Sequence, residues 1–343
     1  MVAVNIWFWV GFIAFVLGML ALDLGVFHRH EHEVKPKEAA IWTGVWVTLA
    51  LLFALGLNFY AGGQVALTFL TGYVLEESLS VDNIFVIVLI FQYFAVPKIY
   101  QHRVLFWGII GALVMRGLFI GLGSVLLERF HWIIYVFGAM LVITGVRMAV
   151  KQDEEFSGDQ NPVVKFVRRF VPLTHEFHGK HFFTVQNGRR VATPLFLVLV
   201  LVEFTDLMFA IDSIPAIFAV TTDPFIVFTS NIFAILGLRS LYFLLASVVH
   251  KFHLLKYGLA VILSYIGVKM LISGWVHIPI ALSLAIVLGV LAASIVASLI
   301  WPASAVHVEP EESEGKTGSL FGRLPSSGDG GAGEGGESGR GAA

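Results

Sequence analysis

Residues 66–95 read ALTFLTGYVLEESLSVDNIFVIVLIFQYFA, a thirty-residue stretch whose charged side chains are three acids, Glu76, Glu77 and Asp82. A helix rises ~1.5 Å per residue and the hydrocarbon core of a bilayer is ~30 Å thick, so about 20 mostly apolar residues cross it. This stretch is long enough. Eight others resemble it, at about 6–27, 41–59, 104–126, 131–150, 193–220, 225–248, 254–274 and 278–301. The composition agrees: of 343 residues 57% are hydrophobic and 13% charged, with a mean hydropathy of +0.83. A soluble domain carries roughly 25% charged residues. The expectation is an all-α polytopic membrane protein with about nine transmembrane helices. The absence of cysteine excludes disulfides, thiolate metal ligands and cysteine nucleophiles.

Lysine and arginine sort between the two sides. The first, third, fifth and seventh loops hold three, two, seven and, with Lys256 at the edge of the next run, two of them, and the even loops hold only Arg129. The positive-inside rule makes the odd loops cytoplasmic, with the N-terminus outside and the C-terminus inside; the expected location is the inner (plasma) membrane. The fifth loop, 151–192, is hydrophilic. In it, Asn187-Gly188 between two β-rich stretches predicts a small hairpin with a type I′ turn. From 304 to 343 the tail is rich in Gly, Ser and Glu and is expected to be disordered. His28, His30 and His32, and His175, His178 and His181, match no compact zinc spacing.

The acidic stretch has a second copy. Glu76-x5-Asp82-Asn83 aligns on Asp206-x5-Asp212-Ser213. Gly108–Phe119 aligns without gaps on Asn231–Tyr242, bringing Arg116 onto Arg239. Gly145-Val-Arg147-Met aligns on Gly267-Val-Lys269-Met. Each copy covers three runs, and an odd number forces the second copy to enter the membrane from the opposite side. This predicts a three-plus-three inverted repeat, the architecture of many transporters. The expected organisation is 1–65 for the first two helices, 66–150 for repeat 1 and 151–192 for the loop. Repeat 2 occupies 193–274, a last helix 275–303, and the tail 304–343. A duplicated scaffold without transport is the alternative.

Glu76, Glu77, Asp82, Glu203, Asp206 and Asp212 lie inside apolar runs, and Asp23 lies near the inner end of the first. A charge at the helix centre costs ~2.5–3.5 kcal/mol on insertion scales, and such residues mark ion pathways or proton relays. Cations, protonation, or Arg116 and Arg239 must compensate. Asn83, Ser213 and neighbouring hydroxyls supply further oxygen. Oxygen ligands suit Mg²⁺, Ca²⁺ and Mn²⁺. The candidate metal ligands are therefore Glu76, Asp82, Asn83, Glu203, Asp206, Asp212 and Ser213, with Arg116, Arg239 and Asp23 balancing charge or gating. Six residues turn a helix through about 600°, so Glu76 and Asp82 point ~120° apart. Either the helix unwinds near the aspartate or the two acids face different partners. Pro215 favours unwinding near Asp212. No phosphate loop, dinucleotide fingerprint, nucleophile elbow or nucleic-acid motif is present, so neither an enzyme nor a nucleic-acid binder is expected.

The stretches 75–86, 203–216 and 231–239 resemble the TerC family of integral membrane proteins, and closely its Alx-like branch, as does Ala21-Leu-Asp23-Leu-Gly-Val-Phe-His28. The resemblance covers about residues 18–275. It implies association with tellurium resistance, with manganese export and with metalation of secreted enzymes, making Mn²⁺ the implied transported ion, without a resident cofactor. It also implies a rival, a translocon-associated factor for membrane-protein assembly, since plant relatives are linked to that role. A redox role fits poorly with a chain that has no cysteine.

Overall fold

A computed structural model describes residues 5–27, 34–150, 161–174, 176–186, 188–246, 248, 252, 254–276 and 278–301. The tail, His28, His30, His32 and His175 lie outside the described residues. Each apolar run forms one helix: α1 (Ile6–Phe27), α2 (Pro36–Ala61), α3 (Gly63–Tyr93), α4 (Lys98–Arg129) and α5 (Ile133–Val150). In the loop, α6 (Pro162–Phe170) precedes the strands β1 (Phe183–Gln186) and β2 (Arg189–Ala192). Then follow α7 (Pro194–Phe218), α8 (Pro224–Leu245), α9 (Leu255–Leu271) and α10 (Ile280–Ile300). The hairpin is antiparallel, with Gln186 opposite Arg189 and Gly188 at φ 74°. Gly188 takes the positive φ that such a turn asks of its second residue, and Asn187, its first, lies outside the described residues.

Helix starts follow local chemistry. Proline begins α2, α6, α7 and α8, where its missing N–H costs nothing. Asp223 caps α8 by accepting from Phe225 N at 3.1 Å, and Asn161 caps α6 by accepting from Val163 N at 2.9 Å. Thr68, Thr71, Thr229 and Ser230 donate to carbonyls within their own helices, which satisfies hydroxyls in an apolar setting.

Six helices, α2, α4, α5, α7, α8 and α10, are long and apolar enough to cross a membrane. Outside that group, α3 carries the three acids and α9 has 17 residues. Leu51, Leu55, Leu118, Leu122 and Leu299 stand exposed. An apolar coat of this extent belongs in lipid. The centre is α8, which packs on α2, α3 and α4. Helix α3 also meets α7, and α4 also meets α7.

The most extensive helix pair is α5 with α9, and its crossing is reciprocal. A Cβ on Gly145 would run into Ser264 and the Ala260 carbonyl. A Cβ on Gly267 would run into Val142 and the Gly138 carbonyl, at 2.6 Å from that oxygen. Gly145 aligns on Gly267, so the same offset carries Gly138 onto Ala260 and Val142 onto Ser264. The small residues let the two backbones approach closely.

One expectation is corrected. The chain does not unwind at Asp212: α7 continues through Pro215 to Phe218. A proline ring removes one intrahelical bond, and the remaining turns hold the helix together. In the second copy the ~120° divergence is met by different partners, Arg116 and Asn83 for Asp206 and Thr144 for Asp212.

Candidate functional site

Four helices converge on one guanidinium. Arg116 lies on α4 at 2% exposure, and its Nη1 forms an ion pair with Glu76 Oε1 on α3. Its Nη2 reaches Asp206 Oδ1 on α7 at 3.3 Å. Nη1 also donates to Asn231 Oδ1 on α8 at 2.8 Å and to Ser213 Oγ on α7 at 3.3 Å. Asn83, two turns beyond Glu76 on α3, donates to Asp206 Oδ1 at 3.0 Å. All six residues are buried.

The cluster is not electrically complete. Two carboxylates share one guanidinium, which leaves a formal charge of −1. Asp206 Oδ2 and Asn83 Oδ1 are buried without a hydrogen-bond partner. Buried oxygens of this kind are costly unless a water, a proton or a cation meets them. Two carboxylates, two amide oxygens and a hydroxyl form a hard donor set, which suits a hard divalent cation. Among the described residues no three His, Asp or Glu side chains group closely enough to hold a metal ion. In the arrangement described, Arg116 takes the position of the positive charge.

The other candidates lie around this centre. Asp212 accepts from Thr144 Oγ1 on α5 at 3.0 Å. Glu203 places its carboxylate against Gly111 on α4, where a Cβ would collide with both oxygens. Asp82 is half-buried, and Arg239 is buried on α8, eight residues beyond Asn231. Asp23 lies in α1, and its side chain is outside what is described. Glu77 accepts from Tyr73 Oη at 2.8 Å.

The structure thus brings Glu76, Asn83, Asp206, Ser213 and Arg116 together, and places Asp212 and Glu203 on other neighbours. Asn231, Thr144 and Gly111 were not singled out as site residues in the sequence. A polar Asn231 inside an apolar run, and a Thr144 beside the repeated Gly145, were the available signals.

Comparison with known proteins adds a family. The model described as "Integral membrane protein TerC family" matches residues 61–305. The "Uncharacterized membrane protein STKORF319" of Myxococcus xanthus is 57% identical over 85% of this chain and 92% of its own length. The "Putative membrane-bound redox modulator Alx" of Escherichia coli strain K12 is 52% identical over 82% of this chain and 91% of its own. An "Uncharacterized membrane protein" of Rickettsia bellii is 40% identical over 85% of this chain and 97% of its own. No solved structure matches.

Proposed function

We propose a function from the premise that the chain belongs to the TerC family of integral membrane proteins: it exports Mn²⁺ from the cytoplasm through the buried carboxylate centre. The observation that carries the reading is the joint hold of Arg116 on Glu76 and Asp206. These acids occupy equivalent positions of the two sequence copies, so the centre is a junction between repeat halves. Transporters with inverted repeats place their substrate there.

In this reading nine helices cross the inner membrane, with the N-terminus outside and the C-terminus in the cytoplasm. Helices α1, α3 and α9 join the six apolar ones. Residues 66–150 and 193–274 are the two inverted copies. The reciprocal Gly145 and Gly267 contacts support that relation. So does packing of α3 on α8 alongside α4 on α7, which exchange under the same correspondence.

Glu76 and Asp206 supply charge to the ion, and Asn83 and Ser213 supply neutral oxygen. A divalent cation displaces the Arg116 guanidinium, which then rests on Asn231. Asp82, Asp212, Glu203 and Arg239 act on the approach and exit sides. Rocking of one repeat against the other exposes the site alternately. The chain is a carrier and not an enzyme. The redox wording in a relative's name finds no thiol here to carry it.

Cells expressing the wild-type chain are expected to lower their Mn²⁺ content under manganese load, and an Asp206→Asn variant present at equal level is not. Equal Mn²⁺ content with and without the wild-type chain contradicts export. Retention of a membrane-protein assembly defect on deletion, independent of metal, then favours the assembly role.

A further inference from the structure

Helix α6 lies outside the carboxylate centre and has three distinct faces. Val164 and Val167 are buried, in one apolar cluster with Val96, Leu195 and Val198, and α6 packs on α7. Phe166 and Phe170 stand 64% and 66% exposed, their rings 4.8 Å apart. Lys165, Arg168 and Arg169 fill the remaining sector. At 100° per residue the valines and phenylalanines together span about 160° of the helix, and the basic side chains occupy the rest.

The position of α6 is fixed near the end of a membrane helix. Just past its C-terminus, Thr174 N donates to Ala192 O at 2.8 Å and Ala192 N donates to Pro172 O at 2.9 Å. Ala192 lies two residues before Pro194, the first residue of α7. Phe183 on β1 sets its ring 4.7 Å from Phe196 in the first turn of α7. Arg189 and Arg190 are exposed on the adjoining strand. Between 161 and 192 the chain holds six basic residues and one acid, Glu176. The acids at 153–159 lie outside the described residues.

We propose that α6 and the hairpin form a docking surface for anionic phospholipid. Phe166 and Phe170 enter the boundary between headgroups and acyl chains, and Lys165, Arg169 and Arg190 meet the lipid phosphates. Two exposed aromatic rings about 40° apart on the helix, edged by bases and set beside the first turn of a membrane helix, are what an interfacial contact presents. Charge complementarity selects an anionic surface, since each Lys or Arg near one favours it by about five-fold. The proposal does not depend on the transport reading or on which side of the membrane α6 occupies.

The absence of native cysteine makes Phe166→Cys and Phe170→Cys unique attachment points for a nitroxide spin label. Both leave the Val164 and Val167 face intact. The full chain is reconstituted in vesicles of phosphatidylglycerol with phosphatidylcholine, and in phosphatidylcholine alone. The label is expected to be accessible to oxygen and shielded from a water-soluble nickel chelate in the anionic vesicles. Nickel accessibility should rise in the neutral ones. Adding Lys165→Glu and Arg169→Glu should weaken the anionic preference by at least about five-fold per charge. A label open to nickel at both sites in anionic vesicles overturns the proposal. A label shielded from both reagents also overturns it, and points to a protein contact instead.

Discussion

Asn83 Nδ2 on α3 donates to Asp206 Oδ1 on α7 across 3.0 Å, and Arg116 Nη2 reaches that same oxygen at 3.3 Å. The two acid-bearing helices are thus tied through one carboxylate, whose other oxygen, Oδ2, is buried without a partner. A charge-neutral substitute for Arg116 leaves Glu76 and Asp206 facing each other uncompensated. Breaking a buried pair by removing one partner costs about 3–5 kcal/mol. Arg116→Gln is expected to lower the thermal midpoint of the purified protein in chelator. Mn²⁺ should restore more stability to this variant than to wild type, because a cation bound to the native state stabilises it by mass action. Differential scanning fluorimetry with and without Mn²⁺ reads both. An unchanged midpoint with no added Mn²⁺ response contradicts the charge accounting.

Gly111 leaves room for a neighbour's side chain on α7. Any Cβ there meets the Glu203 carboxylate. Gly111→Ala should destabilise by no more than about 1 kcal/mol, because the Glu203 carboxylate ends a half-buried, flexible side chain that can swing aside. Glu203→Ala in the same chain should recover most of that loss, because the collision is gone. A double-mutant cycle on thermal stability checks this, and additive losses would separate the two residues.

Gly145 and Gly267 predict matched behaviour. Each faces a carbonyl of the opposite helix, Ala260 O or Gly138 O. Backbone cannot swing aside, so Gly145→Ala and Gly267→Ala should each cost at least about 1–3 kcal/mol. The two losses should be alike in size, and a third substitution at the lipid-facing Gly289, which has open space around it, should be nearly neutral. Unequal losses at 145 and 267, one of them near zero, would break the reciprocity.

Thr144 holds Asp212 by a single hydrogen bond at 3.0 Å. Thr144→Val keeps the shape and removes the donor. A bond to a charged group is worth about 1.5–3 kcal/mol, and leaving the acceptor unpaired sets the scale of the loss. Thr144→Ser should retain most of the stability. A serine variant as damaged as the valine one would show that the methyl, and not the hydroxyl, matters at this position.

Much of the architecture was legible because its causes are local. Apolar run length predicted a helix in each run, six of them long and apolar enough to cross a membrane, and the Asn-Gly pair between two β-rich stretches predicted the antiparallel hairpin. The paired acids were legible as a duplication. Their meeting at Arg116 was not, since it depends on how α3, α4, α7 and α8 pack, and residues 76, 116 and 206 are far apart in sequence. Asn231 stood out only as the first residue of the aligned stretch 231–242; its bond to Arg116 depends on α8 packing at the centre. Pro215 misled because a proline is a local signal for disruption, while the packing of Ala210, Ile214 and Phe218 keeps α7 helical past it.

The central claim is that Glu76 and Asp206 form one site for a divalent cation carried across the membrane. Its most direct test is Mn²⁺ flux into sealed proteoliposomes of purified protein, read by an enclosed manganese-sensitive dye, for wild type, Glu76→Gln and Asp206→Asn. The account predicts saturable flux for wild type and at least a ten-fold loss in each variant, since one lost ligand charge worth about 1.4 kcal/mol or more suffices for that factor. Flux that is absent from the wild-type protein, or unchanged in both variants, would contradict it.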